Sequence, residues 1–162
     1  MQKPTHDHPN VIIFPPLIPA ATVALACVLQ WLVPFGQLGS LSQMVRALIG
    51  AVFIVVGVCL AAAGRLQLVR LGTNVSPLQP TTALATTGVY RWTRNPLYTG
   101  GLLVMLGIAS LFALDWLVVL IAPSLLILHL GVVRREEQYL ERKFGDQYRQ
   151  YKANVPRYGL KI

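Results

Sequence analysis

The feature that most constrains this fold is one apolar stretch, residues 97–133, which few polar groups interrupt, among them Asp115 and His129. As a single α-helix it would be about 55 Å long, whereas the hydrocarbon core of a bilayer is about 30 Å thick. The stretch must therefore fold back on itself, and Asp115 followed by Trp116 marks the expected turn. The sequence thus predicts a helical hairpin that returns the chain to the side where it began.

Two further apolar stretches precede the hairpin, at residues 18–35 and 45–64. Of the 162 residues, 54% are hydrophobic and 12% are charged, and that charged share is about half the value of a soluble domain. We therefore predict an all-α integral membrane protein with four transmembrane helices. Small residues recur along the second stretch, Gly50 and Gly57 among them, and they predict close packing of that helix against another.

The chain is expected to form a single membrane domain over residues 1–162, with four parts. Two spans occupy residues 1–64, and a cytoplasmic loop that ends in a polar elbow occupies residues 65–96. The loop is expected to be irregular from residue 65 onwards because it contains Pro77, Pro80 and several threonines. The helical hairpin covers residues 97–133, and an amphipathic tail covers residues 134–162.

Apolar and aromatic residues recur in the tail at spacings of three and four, which is typical of an amphipathic helix. The series is Leu140, Phe144, Tyr148, Tyr151 and Val155. Such a helix is expected to lie on the membrane surface, with its aromatic stripe against lipid or the hairpin. A break is expected at Gly145.

The net charge of +8 is distributed as in a membrane protein. Basic residues gather at 65–94 and again after residue 133. Basic segments that flank spans are typically cytoplasmic, and four spans then place both termini in the cytoplasm. Attraction to anionic lipid headgroups accounts for the charge, so the sequence predicts a bilayer partner and no nucleic acid.

Two polar clusters are candidates for chemistry, and each allows an ordinary interpretation as well. Glu136 and Glu137 stand where the hairpin leaves the membrane, either as a solvated interfacial pair or with one carboxylate facing a bound ligand. Asn95 precedes Pro96, at the expected start of the third span. It is either a helix N-cap or part of an anion site at that helix end, with Arg94 as the counter-charge.

Several motifs together resemble the isoprenylcysteine carboxyl methyltransferases and the phospholipid methyltransferases. They are Arg94-Asn95-Pro96-Leu97-Tyr98-Thr99-Gly100, then Arg135-Glu136-Glu137-Gln138-Tyr139-Leu140 after the hairpin, and, in the tail, Phe144-Gly145-Asp146-Gln147-Tyr148 and Tyr151 with Val155-Pro156-Arg157. The resemblance covers nearly half of the chain and includes short bacterial relatives, which implies the bacterial inner membrane. The eukaryotic prenylcysteine enzymes have a histidine where this chain has Asn95.

The resemblance implies S-adenosylmethionine as the cofactor, held between the elbow, the hairpin and the tail, with Glu136 as a binding residue. The full set of expected cofactor-binding residues is Thr82, Ala83, Leu84, Ala85, Tyr90, Arg94, Asn95, Pro96, Leu97, Tyr98, Glu136 and Glu137. Arg134 or Arg135 is expected to attract an acidic headgroup of a lipophilic or lipid-anchored acceptor. We expect the cavity to open sideways to lipid, between the hairpin and the second span.

Other activities remain open at this stage. Sterol-type reductases share a similar core but use NADPH, and a non-enzymatic membrane scaffold is a third possibility. The sequence offers no Cys/His cluster for a metal and no Gly-x-Gly-x-x-Gly after a strand. It assigns no catalytic base, and it does not identify the methyl acceptor or the oligomeric state.

Overall fold

A computed structural model describes residues 7–159, and every regular element within them is helical. The main helices are α1 (Leu17–Leu32), α2 (Gln43–Arg70), α3 (Pro96–Phe112), α4 (Asp115–Leu128), α5 (Arg134–Phe144) and α6 (Asp146–Asn154). Short 3₁₀ turns occur at Leu38–Ser40 and Gly88–Arg91, and a π-helical turn at His129–Val133 joins α4 to α5. The expectations for residues 1–6 and 160–162 lie outside the described residues.

Two helical stretches, Gln43–Arg70 and Asp115–Phe144, are long and apolar enough to cross a membrane. Helices α1 and α3 are apolar but shorter. Large apolar side chains on the outer faces are exposed, with Trp31 at 81% and Val52 at 62%. An apolar surface of this extent is typical of a protein that contacts lipid.

Glycines bring α2 and α3 into close contact. Gly50, Gly57 and Gly64 are buried and recur every seven residues along α2. They face α3, where a Cβ on Gly57 would lie 2.6 Å from the carbonyl oxygen of Gly100. The prediction that small residues allow close approach of this helix is confirmed.

The predicted hairpin is present, and its turn lies at residues 113–114. Ala113 adopts a left-handed conformation with φ of 52°, and α4 begins at Asp115. The Asp115 carboxylate is buried and accepts hydrogen bonds from the backbone N–H groups of Gln37 and Leu38, at 3.0 and 2.8 Å. This aspartate therefore ties the hairpin turn to the loop between α1 and α2.

Two expected boundaries were wrong. The first helix ends at Leu32 rather than residue 35, and α2 continues to Arg70, well past residue 64. The sequence from 65 to 70 contains no glycine or proline, so nothing stops the helix there. It ends where Gly72 takes a φ of +66°, a conformation that glycine adopts without strain. The irregular loop is accordingly shorter than expected.

The tail differs from the expected surface helix. Helix α4 runs through the π-helical turn into α5 without a break, so α5 continues the hairpin. The break at Gly145 is confirmed, with φ of +54°. The aromatic stripe does not face lipid, because Tyr148 and Tyr151 are buried against Ala85 and Tyr90 of the preceding loop. A compact second core therefore forms beyond the end of the hairpin.

Candidate functional site

A cavity of about 820 Å³, counting its open mouth, lies where the loop, the elbow, α3, α5 and α6 converge. Its wall combines backbone turns of the loop with side chains from both polar clusters. The lining residues from these clusters and from the preceding loop segment are Ala83, Leu84, Ala85, Tyr90, Arg94, Asn95, Pro96, Leu97, Tyr98, Glu136 and Glu137.

Glu136 and Tyr98 form a polar pair in the wall of this cavity. The Tyr98 hydroxyl donates a hydrogen bond of 2.9 Å to Oε1 of Glu136. Within residues 7–159, no hydrogen bond of the protein engages the other carboxylate oxygen of Glu136. The pair thus presents a carboxyl oxygen to the cavity, which suits a cationic or hydroxyl-bearing ligand.

Glu137 is placed quite differently from its neighbour. Its side chain is 8% exposed and contacts Nη1 of Arg94 at 2.9 Å. It also accepts two hydrogen bonds from Arg157, from Nε and Nη2, both at 2.7 Å. A two-pronged pair of this kind fixes both partners geometrically as well as by charge. Glu137 therefore holds two arginines together at the edge of the cavity.

Asn95 occupies the N-cap position of α3, but its side chain makes no capping hydrogen bond. Its amide instead donates to the carbonyl oxygen of Arg157 at 3.2 Å. Its own carbonyl accepts from the hydroxyl of Thr99 at 2.9 Å. Asn95 therefore holds the expected N-cap position, but its side-chain oxygen does not cap the helix, and its amide donates to the tail instead.

Three buried phenols at the cavity, those of Tyr90, Tyr148 and Tyr151, are protonated at physiological pH. Burial raises the pKa of Tyr148 to about 12, and it raises the pKa of Tyr90 and of Tyr151 further. The Tyr151 hydroxyl donates to the carbonyl of Tyr90 at 2.8 Å. Arg94 approaches the Tyr148 hydroxyl at 3.4 Å. These groups shape and polarise the wall, and none of the three is poised to accept a proton near neutral pH.

Three expected site residues lie outside the cavity. Arg134 is exposed, and Arg135 donates to the carbonyl of Asn10 at 3.2 Å. Thr82 is exposed, and its hydroxyl donates to the carbonyl of Gly72. None of the three lines the cavity. Arg134 and Arg135 point elsewhere because successive residues of a helix face different directions, and Glu136 and Glu137 take the inward positions.

The structure adds lining residues that the sequence interpretation missed. They include Tyr139, Tyr148 and Tyr151 from α5 and α6, and Pro9 from the segment before α1. Tyr139 also accepts from the backbone N–H of Thr81 at 3.1 Å. The helical spacing of the tail aromatics was a usable signal, since a stripe on α5 and α6 must face something. Nothing in the sequence marks Pro9.

A second, larger groove of about 1150 Å³ adjoins the cavity. Apolar residues dominate its wall, which is built from the start of α1 and from α3 and α4. Five residues line both the groove and the cavity: Val75, Ser76, Pro77, Leu97 and Tyr98. The apolar opening therefore lies between α1 and the hairpin, and the expectation of an opening between the hairpin and the second span was wrong. The glycine contact of α2 with α3 closes that side.

Comparison with known proteins finds a family and a relative that this chain is similar to. The model of the phospholipid methyltransferase family matches residues 45–147, which include nearly all of α2, the elbow, the hairpin and the acidic pair. An uncharacterized protein of Haemophilus influenzae is 48% identical over 46 residues, which are 28% of this chain and 70% of that protein. No solved structure matches the chain significantly.

Proposed function

The chain belongs to the phospholipid methyltransferase family, and from this premise we propose that it transfers a methyl group from S-adenosylmethionine to a lipophilic acceptor. The observation that carries the proposal is the position of Tyr98, which lines both the polar cavity and the apolar groove. A donor in the first and an acceptor in the second would meet at this side chain. Holding two reactants in such a geometry supplies a large part of the rate enhancement of a transfer reaction.

The residues of the cavity fit this cofactor. Glu136 has a carboxylate oxygen available for the amino group or a ribose hydroxyl, and its charge favours a sulfonium. Tyr90, Leu84 and Ala85 offer flat or apolar surface for an adenine ring. When bound, the cofactor supplies a methyl group that is already activated. The protein's task is then to orient the two reactants and exclude water, so the proposal includes no catalytic base.

The groove fits the apolar part of an acceptor. Leu102, Met105, Leu125 and Leu128 contribute to its wall, and burial of an apolar chain there is favourable by about 0.8 kcal/mol per CH₂ group. The acceptor's polar end would then reach Tyr98. Arg134 and Arg135 line neither space. Their proposed role is therefore limited to attracting an acidic headgroup at the surface.

We propose four membrane crossings by α1, α2, α3 and α4, with the cavity and both chain ends on the cytoplasmic side of a bacterial inner membrane. The cluster of arginines around the elbow and after the hairpin supports this orientation. A cysteine introduced at Gly39, in a Cys27→Ala/Cys59→Ala background, tests it. We expect an impermeant reagent to label this cysteine only from outside the cell, and labelling only from inside would invert the topology.

Equilibrium binding to the purified protein tests the cofactor assignment. We expect saturable binding of S-adenosylmethionine and no saturable binding of NADPH. The opposite result would indicate a reductase with a similar core. Absence of binding to either nucleotide would indicate a non-enzymatic membrane protein.

A further inference from the structure

A short tail segment, residues 155–158, docks on the elbow, and we call it the strap. The carbonyl of Pro156 accepts a hydrogen bond of 3.0 Å from the backbone N–H of Arg94. The carbonyl of Arg157 accepts two more, from the Thr93 hydroxyl at 2.9 Å and from the Asn95 amide at 3.2 Å. The strap thus engages three consecutive residues of the elbow.

The side chain of Arg157 makes a second connection, to α5. Its guanidinium forms the two-pronged pair with Glu137, whose other partner is Arg94. That hydrogen bonding raises the pKa of Arg157, so its guanidinium stays charged at physiological pH. A buried carboxylate that loses one of two cationic partners is left poorly compensated, which favours rearrangement of the surrounding groups.

Arg157 does not itself line the cavity, whereas Arg94, Asn95 and Glu137 do. We propose that Arg157 is a positioning residue that fixes this part of the cavity wall from outside. Its carbonyl orients Asn95, and its guanidinium orients Glu137 and, through it, Arg94. Asn95 consequently holds the strap in place. It affects nucleotide binding by fixing the shape of the cavity wall rather than by contacting the nucleotide. This inference rests on the proposed function in one respect only, because the affinity for S-adenosylmethionine is used to detect a change in the cavity wall.

The strap explains why an asparagine suits position 95 in this chain. An amide donates hydrogen bonds without carrying charge, and the acceptor here is a backbone carbonyl. Arg94 and Arg157 already supply two positive charges beside Glu137. A neutral donor completes the network without adding a third.

A double-mutant cycle tests this proposal in the full-length protein. Asn95→Leu removes the donor while it keeps the branching and the number of side-chain heavy atoms, and Arg157→Ala removes the two-pronged pair. We expect each to weaken binding of S-adenosylmethionine about three- to tenfold. The affinity of the double variant for S-adenosylmethionine should equal that of the single variant with the lower affinity, because both changes release the same strap. Arg157→Lys, which keeps the charge without the fork, should fall between wild type and Arg157→Ala.

Arg149→Ala is the matched control, since Arg149 lies on the same tail and pairs with the exposed Asp146. We expect its affinity for the nucleotide to equal that of wild type. Additive losses in the double variant would show that Asn95 acts independently of the strap. An affinity of Arg157→Ala equal to that of Arg149→Ala would also overturn the proposal.

A second measurement separates this proposal from the proposed function. Hydrogen exchange of the Arg94 amide, which donates to Pro156, is measured without nucleotide. We expect the exchange rate of this amide to rise about tenfold in Arg157→Ala. An unchanged rate would overturn the proposal that Arg157 holds the strap in place. If the wild-type protein binds no S-adenosylmethionine, the proposed function fails. The exchange measurement still tests whether Arg157 holds the strap in place, because it needs no nucleotide.

Discussion

Two neighbouring carboxylates show what the residue scale adds to the sequence. By residue type alone Glu136 and Glu137 are equivalent, since either could be a solvated interfacial group, and the family resemblance alone singles out Glu136. In the structure Glu137 is held by Arg94 and Arg157, whereas Glu136 contacts Tyr98 beside the cavity. The arginine that separates their roles lies 20 residues further along the chain. The sequence therefore predicted the position of the pair, but it could not assign a partner to each member.

Glu136→Gln tests the role of the available carboxylate at constant side-chain size. We expect S-adenosylmethionine to bind about 10- to 100-fold more weakly, because a charge-assisted contact becomes a neutral one. Glu141→Gln is the matched control, since Glu141 lies on the same helix, pairs with Lys152 and does not line the cavity. Titration of both variants checks this, and equal affinities for the two would remove Glu136 from the site.

At the scale of the elements, the contact between α2 and α3 fixes the frame that carries the elbow. The glycines of α2 were visible in the sequence and predicted a close approach, but glycine spacing alone does not identify the partner helix. The structure shows that the partner is α3, through Gly100 and Gly107. Gly64 also faces Pro96 at the start of α3. This contact therefore extends to the residues that line the cavity.

Gly57→Ala tests that contact. The added Cβ would lie 2.6 Å from the Gly100 carbonyl and 2.9 Å from the Val104 amide nitrogen, both backbone atoms that cannot move aside cheaply. We expect a loss of about 1–3 kcal/mol in the free energy of unfolding. Gly101→Ala is the control, because nothing lies within 4 Å of its Cβ. Unfolding in detergent compares the two, and equal stability of both variants would contradict the close contact.

Element boundaries were less predictable than the elements themselves. The hairpin follows from length alone, since the apolar stretch at residues 97–133 is too long to be a single membrane crossing. The end of α2 depended on the left-handed conformation of Gly72, whereas the expected end lay at residue 64, where the apolar stretch meets Arg65. The stripe of α6 was correctly periodic, but its partner was the loop at residues 85–90. Periodicity identifies a face and does not say what covers it.

At the scale of the whole molecule, the hairpin brings two distant polar clusters to one end of the helices. The elbow and the acidic pair are about 40 residues apart in sequence, and Tyr98 and Glu136 lie within hydrogen-bond distance. The sequence predicted this meeting because the hairpin returns the chain to its starting side. It could not predict that the segment before α1 contributes Pro9 to the cavity, or that the apolar groove opens beside α1. Those features arise from packing of short segments without a periodic pattern.

The most direct test of the account is methyl transfer itself. Purified protein is incubated with S-adenosylmethionine labelled in its methyl group and with a bacterial membrane lipid extract, and the organic phase is then analysed. We expect a labelled lipophilic product with the wild-type protein and at least tenfold less with Glu136→Gln, as its weaker binding requires. A wild-type protein that binds the cofactor yet transfers no label to any component of the extract would contradict it.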